Sequence, residues 1–403
     1  MTPADSPLYN CSMYKIYLKK GEERRIKKGH PWVYANEVSS IEGKAPNGSL
    51  GEVYDFNGNF LGKGYVNRLS KILVRLFIYD IEVSDTEELF SERLIKANAL
   101  REQLGLGEAY RMVFSESDLL PGLIIDRYAD VFVMEILSLG MRLQRDKIVS
   151  ALLGNFSPAA IYERSDSPVL RKEGMESFSG VIYGKLPERV TVNENGIKLG
   201  IDVVNGQKTG YYLDQKENRL ALRRYARGKK VLDCFSNVGG FSLNAALTAD
   251  GVKAVDISEQ ALNELRKNAA LNGIENIVTE RGDVFEYLRS AKSRGESYGL
   301  IVLDPPAFCK SAAEVPGAVK GYRDINIAAM KLLDDGGILC TASCSHYMTP
   351  TLFERVISEA ASGSGKRVRI LEKRMQSPDH PAELSVPESE YLKFYVLAVD
   401  RRK

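Results

Sequence analysis

The sequence predicts a multidomain α/β protein built as a small N-terminal β-barrel, a central α+β domain and a C-terminal doubly wound, Rossmann-like domain. Three observations predict it. Residues 13–78 break into short strand-like runs at Gly21, Gly29, Asn47-Gly48 and Asn57-Gly58-Asn59. Residues 86–188 combine a helical stretch with several apolar runs of strand length. From Lys229 onward strands and helices alternate strictly, the pattern of a mostly parallel sheet. The expected boundaries are a loose tail at 1–12, the barrel at 13–85, the central domain at 86–188 and the doubly wound domain at 189–403.

Composition narrows the function classes. The chain has 403 residues, 44% hydrophobic and 27% charged, enough to bury sizeable cores. No window approaches about 18 consecutive apolar residues, so a membrane span is not expected. Met1 to Cys11 lacks the basic-then-apolar order of a signal peptide. Five cysteines without Cys-x-x-Cys spacing argue against a disulfide scaffold and a zinc ribbon, and three histidines leave little for a metal site. The expected compartment is the cytoplasm, with no metal. A net charge of +2 means that nucleic-acid binding must come from local patches.

One such patch stands in the barrel. Lys15, Lys19, Lys20, Arg24, Arg25, Lys27 and Lys28 face only Glu22 and Glu23, and His30, Trp32 and Tyr34 follow at once. Cations beside aromatic faces neutralise phosphates and stack bases. A solvated β surface with Trp32 in the core is the plainer alternative. Lys15, Arg24, Arg25, Lys27, Lys28, His30 and Trp32 are the candidate RNA contacts here.

Thr86 to Leu104 has helical spacing through Leu89, Phe90, Leu94, Ile95 and Ala97, and Gly105 ends it. Strands are expected at Leu123–Asp126, Val131–Leu137, Ala160–Glu163 and Val181–Tyr183, with a helix from Met141 to Leu153. A hairpin follows, Val190–Val192 and Ile197–Val203 around Asn193-Glu194-Asn195-Gly196.

In the last domain the expected strands are Val231–Asp233, Val252–Asp256, Ile277–Thr279, Leu300–Asp304 and Ile338–Ala342. Helices are expected at Gly239–Thr248, around Ala261–Ala269, at Val284–Lys292 and at Ile325–Leu333. Ligands in such a sheet sit at the carboxyl ends of the strands. Those ends carry Phe235-Ser236-Asn237-Val238-Gly239-Gly240-Phe241, then Asp256, Asp283, Asp304-Pro305-Pro306-Ala307-Phe308 and Ser343-Cys344-Ser345. Only two adjacent glycines occur where a dinucleotide fingerprint needs three, which disfavours a nicotinamide cofactor. Asp256, 23 residues after Asp233, suits ribose hydroxyls, and Asp283 suits an adenine edge. Each carboxylate alone could equally be a helix cap. The two prolines after Asp304 stiffen the backbone there, and Phe308 offers a stacking face.

The order Asp-x-Phe-Ser-x-x-Gly-Gly-Phe-Ser, Asp256, Asp283, Asp-Pro-Pro-Ala-Phe and Ser-Cys-Ser resembles class I S-adenosylmethionine-dependent RNA methyltransferases. The stretch Asn205-Gly206-Gln207-Lys208-Thr209-Gly210-Tyr211-Tyr212-Leu213-Asp214-Gln215 is more specific. With Asp379-His380-Pro381, Tyr391-Leu392-Lys393 and Gly29-His30-Pro31-Trp32-Val33-Tyr34, it resembles the bacterial 23S rRNA 5-methylcytosine methyltransferases of the RlmI type.

That resemblance implies a PUA-like RNA-binding domain, a central α+β domain and a class I methyltransferase domain. It implies that Phe235, Ser236, Gly239 and Gly240 bind the methionine end of S-adenosyl-L-methionine, with Phe241 a further cofactor contact. Asp256 would bind the ribose and Asp283 the adenine edge, with Ile257, Ser258 and Val284 further cofactor contacts. Gln207, Thr209, Tyr212 and Asp214 would close over the cofactor, and Asp304 and Pro305 would border it. Cys344 would be the nucleophile, with Asp304 its catalytic partner, on 23S rRNA. Phe308 joins the RNA contacts. Many RNA 5-methylcytosine enzymes place a second cysteine directly after the proline, to help release product. Ala307 stands there instead, and Cys309 lies three residues beyond Pro306. Monomer and homodimer are both open. The alternative chemistry is methylation of an exocyclic base amine, which Asp-Pro-Pro followed by an aromatic also serves without a thiol.

Overall fold

The computed structural model describes residues 13–402, so the tail expected at 1–12 lies outside the described residues. The chain forms two compact units. One runs to Glu188 and takes in Val203–Gly210 and Ala382–Pro387. The other comprises Arg189–Asp202, Tyr211–Pro381 and the chain from Glu388.

In the first unit six strands make one mixed sheet, in the order Trp32–Tyr34, Ile72–Ile78, Phe60–Val66, Leu50–Tyr54, Tyr14–Leu18, Val38–Glu42. The Tyr14–Leu18 strand shows why. Tyr14, Ile16 and Leu18 are buried while Lys15 is exposed, the two-residue alternation of a half-buried strand. Ile16, Leu18, Val33, Val53 and Val74 close the core beneath it.

A second sheet of the same unit has the order Phe178–Gly184, Ala160–Ser165, Val131–Ile136, Leu123–Tyr128, Ala109–Phe114. The helix Glu87–Gln103 covers it, started by Thr86, whose hydroxyl accepts from the Leu89 amide. Phe90, Leu94 and Ala97 bury one face of that helix against Met112, Val113 and Ile125. Tyr65, Phe77 and Ile78 of the first sheet enter the same core, so the two sheets share one apolar interior. Complete burial of Phe90 and Leu94 contributes about 1.5–3 kcal/mol for each side chain.

The second unit opens with the hairpin Val190–Glu194 and Ile197–Ile201. Its turn is Asn195-Gly196, both at positive φ, two residues tighter than the sequence suggests. Seven strands then pair in the order Ile277–Arg281, Gly251–Asp256, Lys230–Cys234, Tyr298–Leu303, Leu333–Ser343, Lys393–Arg401, Lys366–Arg374. The first five are parallel, and Lys393–Arg401 runs antiparallel to both of its neighbours. Helices Gly240–Ala246, Glu259–Leu271, Val284–Ser293, Val315–Leu332 and Pro350–Ser364 alternate with the strands. Apolar clusters fill both faces of the sheet, one around Leu232, Ile301 and Leu339 and the other around Val231, Leu300 and Phe394.

Several elements correct the sequence reading, among them one helix and two strands. The helix expected at Ile325–Leu333 begins ten residues earlier, at Val315. Pro316 sits in its first turn, where a missing amide costs nothing, while Gly317 and Gly321 disguise that half as loop. The strands Lys366–Arg374 and Lys393–Arg401 were not expected at all. Among the described residues no helix is long and apolar enough to cross a membrane.

Candidate active site

The loop after the Lys230–Cys234 strand is held in an unusual path. Phe235 and Asn237 lie in the left-handed region, at φ 62° and 49°, where side chains other than glycine rarely go. Gly239, at φ 88°, starts the Gly240–Ala246 helix, and a Cβ there would meet Leu265 Cγ at 2.4 Å. A Cβ on Gly240 would meet the Tyr211 hydroxyl at 2.7 Å. The loop is pinned to the next strand: the Ser236 amide donates to Val255 O and the Asn237 amide to Asp256 Oδ2.

Asp256 ends its strand and accepts a further bond from the Ser258 amide through Oδ1. Each oxygen keeps a second lone pair for a ligand. Ile257 beside it is two-thirds exposed, an apolar platform next to a carboxylate. Asp283 caps the Val284–Ser293 helix, accepting from the Glu286 amide at 3.0 Å, and Val284 is buried. The cap is the structural use of Asp283, and its carboxylate retains acceptor capacity beyond it.

Several buried polar atoms of this region have no hydrogen-bond partner: Asp233 Oδ1, Ser236 Oγ and Asp214 Oδ1. Orphaned buried acceptors and hydroxyls are rare in a folded protein and fit the polar end of a bound ligand. A strained loop, a helix start without side chains at Gly239-Gly240 and a carboxylate at the next strand end together suit a nucleoside with a polar tail.

Asp304 directly follows the Tyr298–Leu303 strand, and Gln215 donates to its Oδ1 at 2.9 Å. Burial, followed by the nearby charge of Asp214, pushes Asp304 up to about 7 against the opposing Gln215 bond. Burial likewise pushes Asp233 up to about 7. Asp214 accepts from the Tyr391 hydroxyl at 2.7 Å, and its backbone carbonyl accepts from the Ser377 amide. Tyr212 stands among these groups. Burial raises its phenol first, and the charges of Asp304, Cys344, Asp214 and Asp256 then raise it further.

Cys344 follows the last residue of the Leu333–Ser343 strand and is half-buried. Cys234, Cys309 and Cys340 are buried, and burial drives the Cys234 and Cys340 thiols upward, away from the reactive thiolate. Among the described residues Cys344 is therefore the one cysteine with access to solvent. Cys309 lies under the same loop, its amide 3.5 Å from Ser345 Oγ.

The remaining candidates fall in the first unit, apart from Phe308 and Pro305 in the second. Thr209 donates to Asp126 Oδ2 and lies 3.2 Å from the Tyr128 hydroxyl, and Gln207 O accepts from the Gly210 amide. Lys15, Arg24, Lys27 and Lys28 are exposed, with Lys27 2.8 Å from Asp55. Arg25 is half-buried and pairs with Glu37. His30 is buried and accepts from the Trp32 amide, while the indole N–H of Trp32 donates to Glu116. Phe308 packs on Tyr322 with ring centroids 4.5 Å apart and is half-buried. Pro305 is buried beneath Asp304. Sequence reasoning missed Gln215 and Lys393 as neighbours of the site. Both lay in strings already singled out, but only the fold reveals what they touch.

A PUA-like domain family model matches residues 16–78, and an S-adenosylmethionine-dependent methyltransferase family model matches residues 166–386. The chain is 41% identical over 393 residues to ribosomal RNA large subunit methyltransferase I of Shigella dysenteriae serotype 1, covering 96% of this chain and 98% of that one. The same-named protein of Escherichia coli O157:H7 is also 41% identical, over 96% and 99%. The chain belongs to the ribosomal RNA large subunit methyltransferase I family. It is an S-adenosylmethionine-dependent methyltransferase with a PUA-like domain, as the motifs led one to expect. A solved methyltransferase complexed with SAH shares the fold at a TM-score of 0.83 and 24% identity, covering 96% of this chain and 100% of that one. A Streptococcus mutans structure matches with a TM-score of 0.82 over the same shares.

Proposed function

We propose that this family member forms 5-methylcytosine in 23S rRNA, in the cytoplasm, through a covalent bond between Cys344 and C6 of the target base. One observation carries the reading: Asp304 and Cys344 each directly follow one of two neighbouring parallel strands, and Asp256 closes a third strand of the same sheet. The acid and the thiol thus leave the same carboxyl edge of the sheet as the strand end proposed for the ribose.

Phe235, Ser236, Gly239, Gly240 and Phe241 would hold the methionine end of S-adenosyl-L-methionine, Asp256 the ribose and Asp283 the adenine edge. Bound there, that cofactor supplies an electrophilic methyl group to C5. Cytosine C5 is too poor a nucleophile to accept it unaided. The Cys344 thiolate forms a C–S bond to C6, and the electrons of the C5–C6 double bond move into the ring. Asp304, close to half protonated at neutral pH, hands a proton to N3 as that charge develops. C5 is then enamine-like and takes the methyl. A base takes the C5 proton, the double bond re-forms as the C–S bond breaks and the thiolate leaves, and N3 returns its proton to the Asp304 carboxylate. The exposed Lys15, Arg24 and Lys28, with Lys27 and Arg25, would neutralise RNA phosphates, and Phe308 would lie beside the extruded base.

The test uses rRNA from cells lacking the gene, purified enzyme and cofactor, with cytosine methylation mapped by bisulfite sequencing. One new 5-methylcytosine with wild type and none with Cys344→Ala is the expected result. Methylation that survives Cys344→Ala favours transfer to an exocyclic amine instead.

A further inference from the structure

Beside the proposed nucleophile stands a lysine that the chemistry above does not use. Lys393 opens the last strand of the sheet and faces Ser343, the residue before Cys344, in antiparallel register. It is only 4% exposed. Its Nζ donates to Ser345 O at 2.8 Å and to Tyr391 O at 2.7 Å, so the ammonium is fixed to the backbone of the residue that follows Cys344. Both acceptors are neutral carbonyls. Among the described residues no carboxylate lies within ion-pair distance of Nζ. A buried ammonium without a counter-ion is costly, and such groups are paired or functional.

We propose that Lys393 is a positioning residue that holds Cys344 as its thiolate, the thiol proton leaving to water while the lysine stays an ammonium. The proposal rests on the reading of Cys344 as nucleophile and adds the source of its activation.

The groups bearing on Lys393 come from each neighbouring element. They are Cys344 from the end of the neighbouring Leu333–Ser343 strand, Cys309 from the loop after Asp304, and exposed Glu390 from its own segment. Burial lowers the ammonium to about 8, and Cys344 is the first of the groups that raise it again. The lysine therefore remains mainly charged at neutral pH, and the influence is mutual: a cation stabilised by a thiolate lowers that thiol. Tyr322, which bonds Ser343 and Ser345, completes the frame with a neutral phenol that burial pushes up to about 12.

The test is the pH dependence of Cys344 alkylation by iodoacetamide, followed by fragment mass spectrometry on the full chain. It is run for wild type, Lys393→Met and Lys393→Arg, with S-adenosylmethionine binding by calorimetry as the folding control. Wild-type Cys344 should titrate below the ordinary thiol value of about 8.5. Lys393→Met should raise its midpoint by about one unit or more, a tenfold loss of thiolate at pH 7, while cofactor binding persists. Lys393→Arg should keep the midpoint near wild type. A wild-type midpoint at or above the ordinary value overturns the proposal, whether or not the variants fold, and so does an unchanged midpoint in Lys393→Met. An ordinary titration with rRNA methylation still dependent on Cys344 removes the role of Lys393 and leaves the nucleophile standing. A lowered, Lys393-dependent midpoint without methylation does the reverse.

Discussion

Gln215 donates its side-chain amide to Asp304 Oδ1 across 2.9 Å, binding the turn at Leu213–Gln215 to the end of the Tyr298–Leu303 strand. The same Gln215 accepts through its Oε1 from Asn218 at 2.7 Å, which fixes which end of the amide faces the carboxyl. Asp304 is therefore aimed by two residues far from it in sequence.

Asp304 sits at about 7, raised from the ordinary carboxyl value near 3.8. Its protonated form is therefore substantial near neutral pH and approaches a tenfold loss per unit well above that value. If that form donates to the base, kcat/KM must decline above about pH 7 for this reason. Asp304→Asn should lose at least about tenfold in kcat/KM and lose that alkaline limb. Gln215→Ala should lower kcat with little change in cofactor affinity. Steady-state rates between pH 5.5 and 9, with calorimetry for the cofactor, check both.

Asp233 gives a pH dependence of stability. Its folded value is raised to about 7, above the ordinary 3.8, by burial. The native state keeps a proton that the unfolded chain releases. The stability it contributes is fully present below about pH 4 and is lost as pH rises through about 7. Asp233→Asn should flatten this slope, for about 2–4 kcal/mol between pH 4 and 8, since an asparagine oxygen can still accept from Ser242. Urea melts at several pH values read it directly.

Arg219 and Glu194 form a buried two-bond pair, at 2.8 and 2.7 Å, with Arg219 stacked over Tyr211 at 4.5 Å. Removing one partner strands the other's charge in the interior. Arg219→Ala should destabilise the fold by about 3–5 kcal/mol, and Arg219→Lys should not restore it because the fork is lost. Denaturant unfolding is the measurement.

Exposed Lys15, Arg24 and Lys28 carry the RNA reading for the PUA-like domain. Replacing all three by alanine should reduce the slope of log affinity against log salt by about two to three, with cofactor binding unchanged. Filter binding to rRNA fragments over a range of salt decides it.

Much of the site was legible because the chemistry sits where strands end. Asp256 closes its strand and Asp304 and Cys344 directly follow theirs, as the alternating pattern required. The strand Lys366–Arg374 escaped because it is an edge strand of mostly charged residues, with no apolar period to find. Lys393–Arg401 is buried on both faces and so lacks alternation, which leaves its type ambiguous in sequence. Gln215 and Lys393 belong to matched strings, but their partners lie 89 and 48 residues away, a distance that no local pattern spans. His30 illustrates the converse: adjacency to basic residues says nothing of burial, and His30 is buried with its ring edge-on to Trp32.

The central claim is a sulfur–carbon bond, and it can be trapped. RNA carrying 5-fluorocytosine at the mapped target cannot release a proton from C5 after methyl transfer. Incubated with enzyme and cofactor, it should leave a complex stable to denaturation whose crosslinked peptide carries the nucleotide on Cys344, and Cys344→Ala should give none. Efficient methylation of the natural RNA without any such complex at the same position would contradict the account.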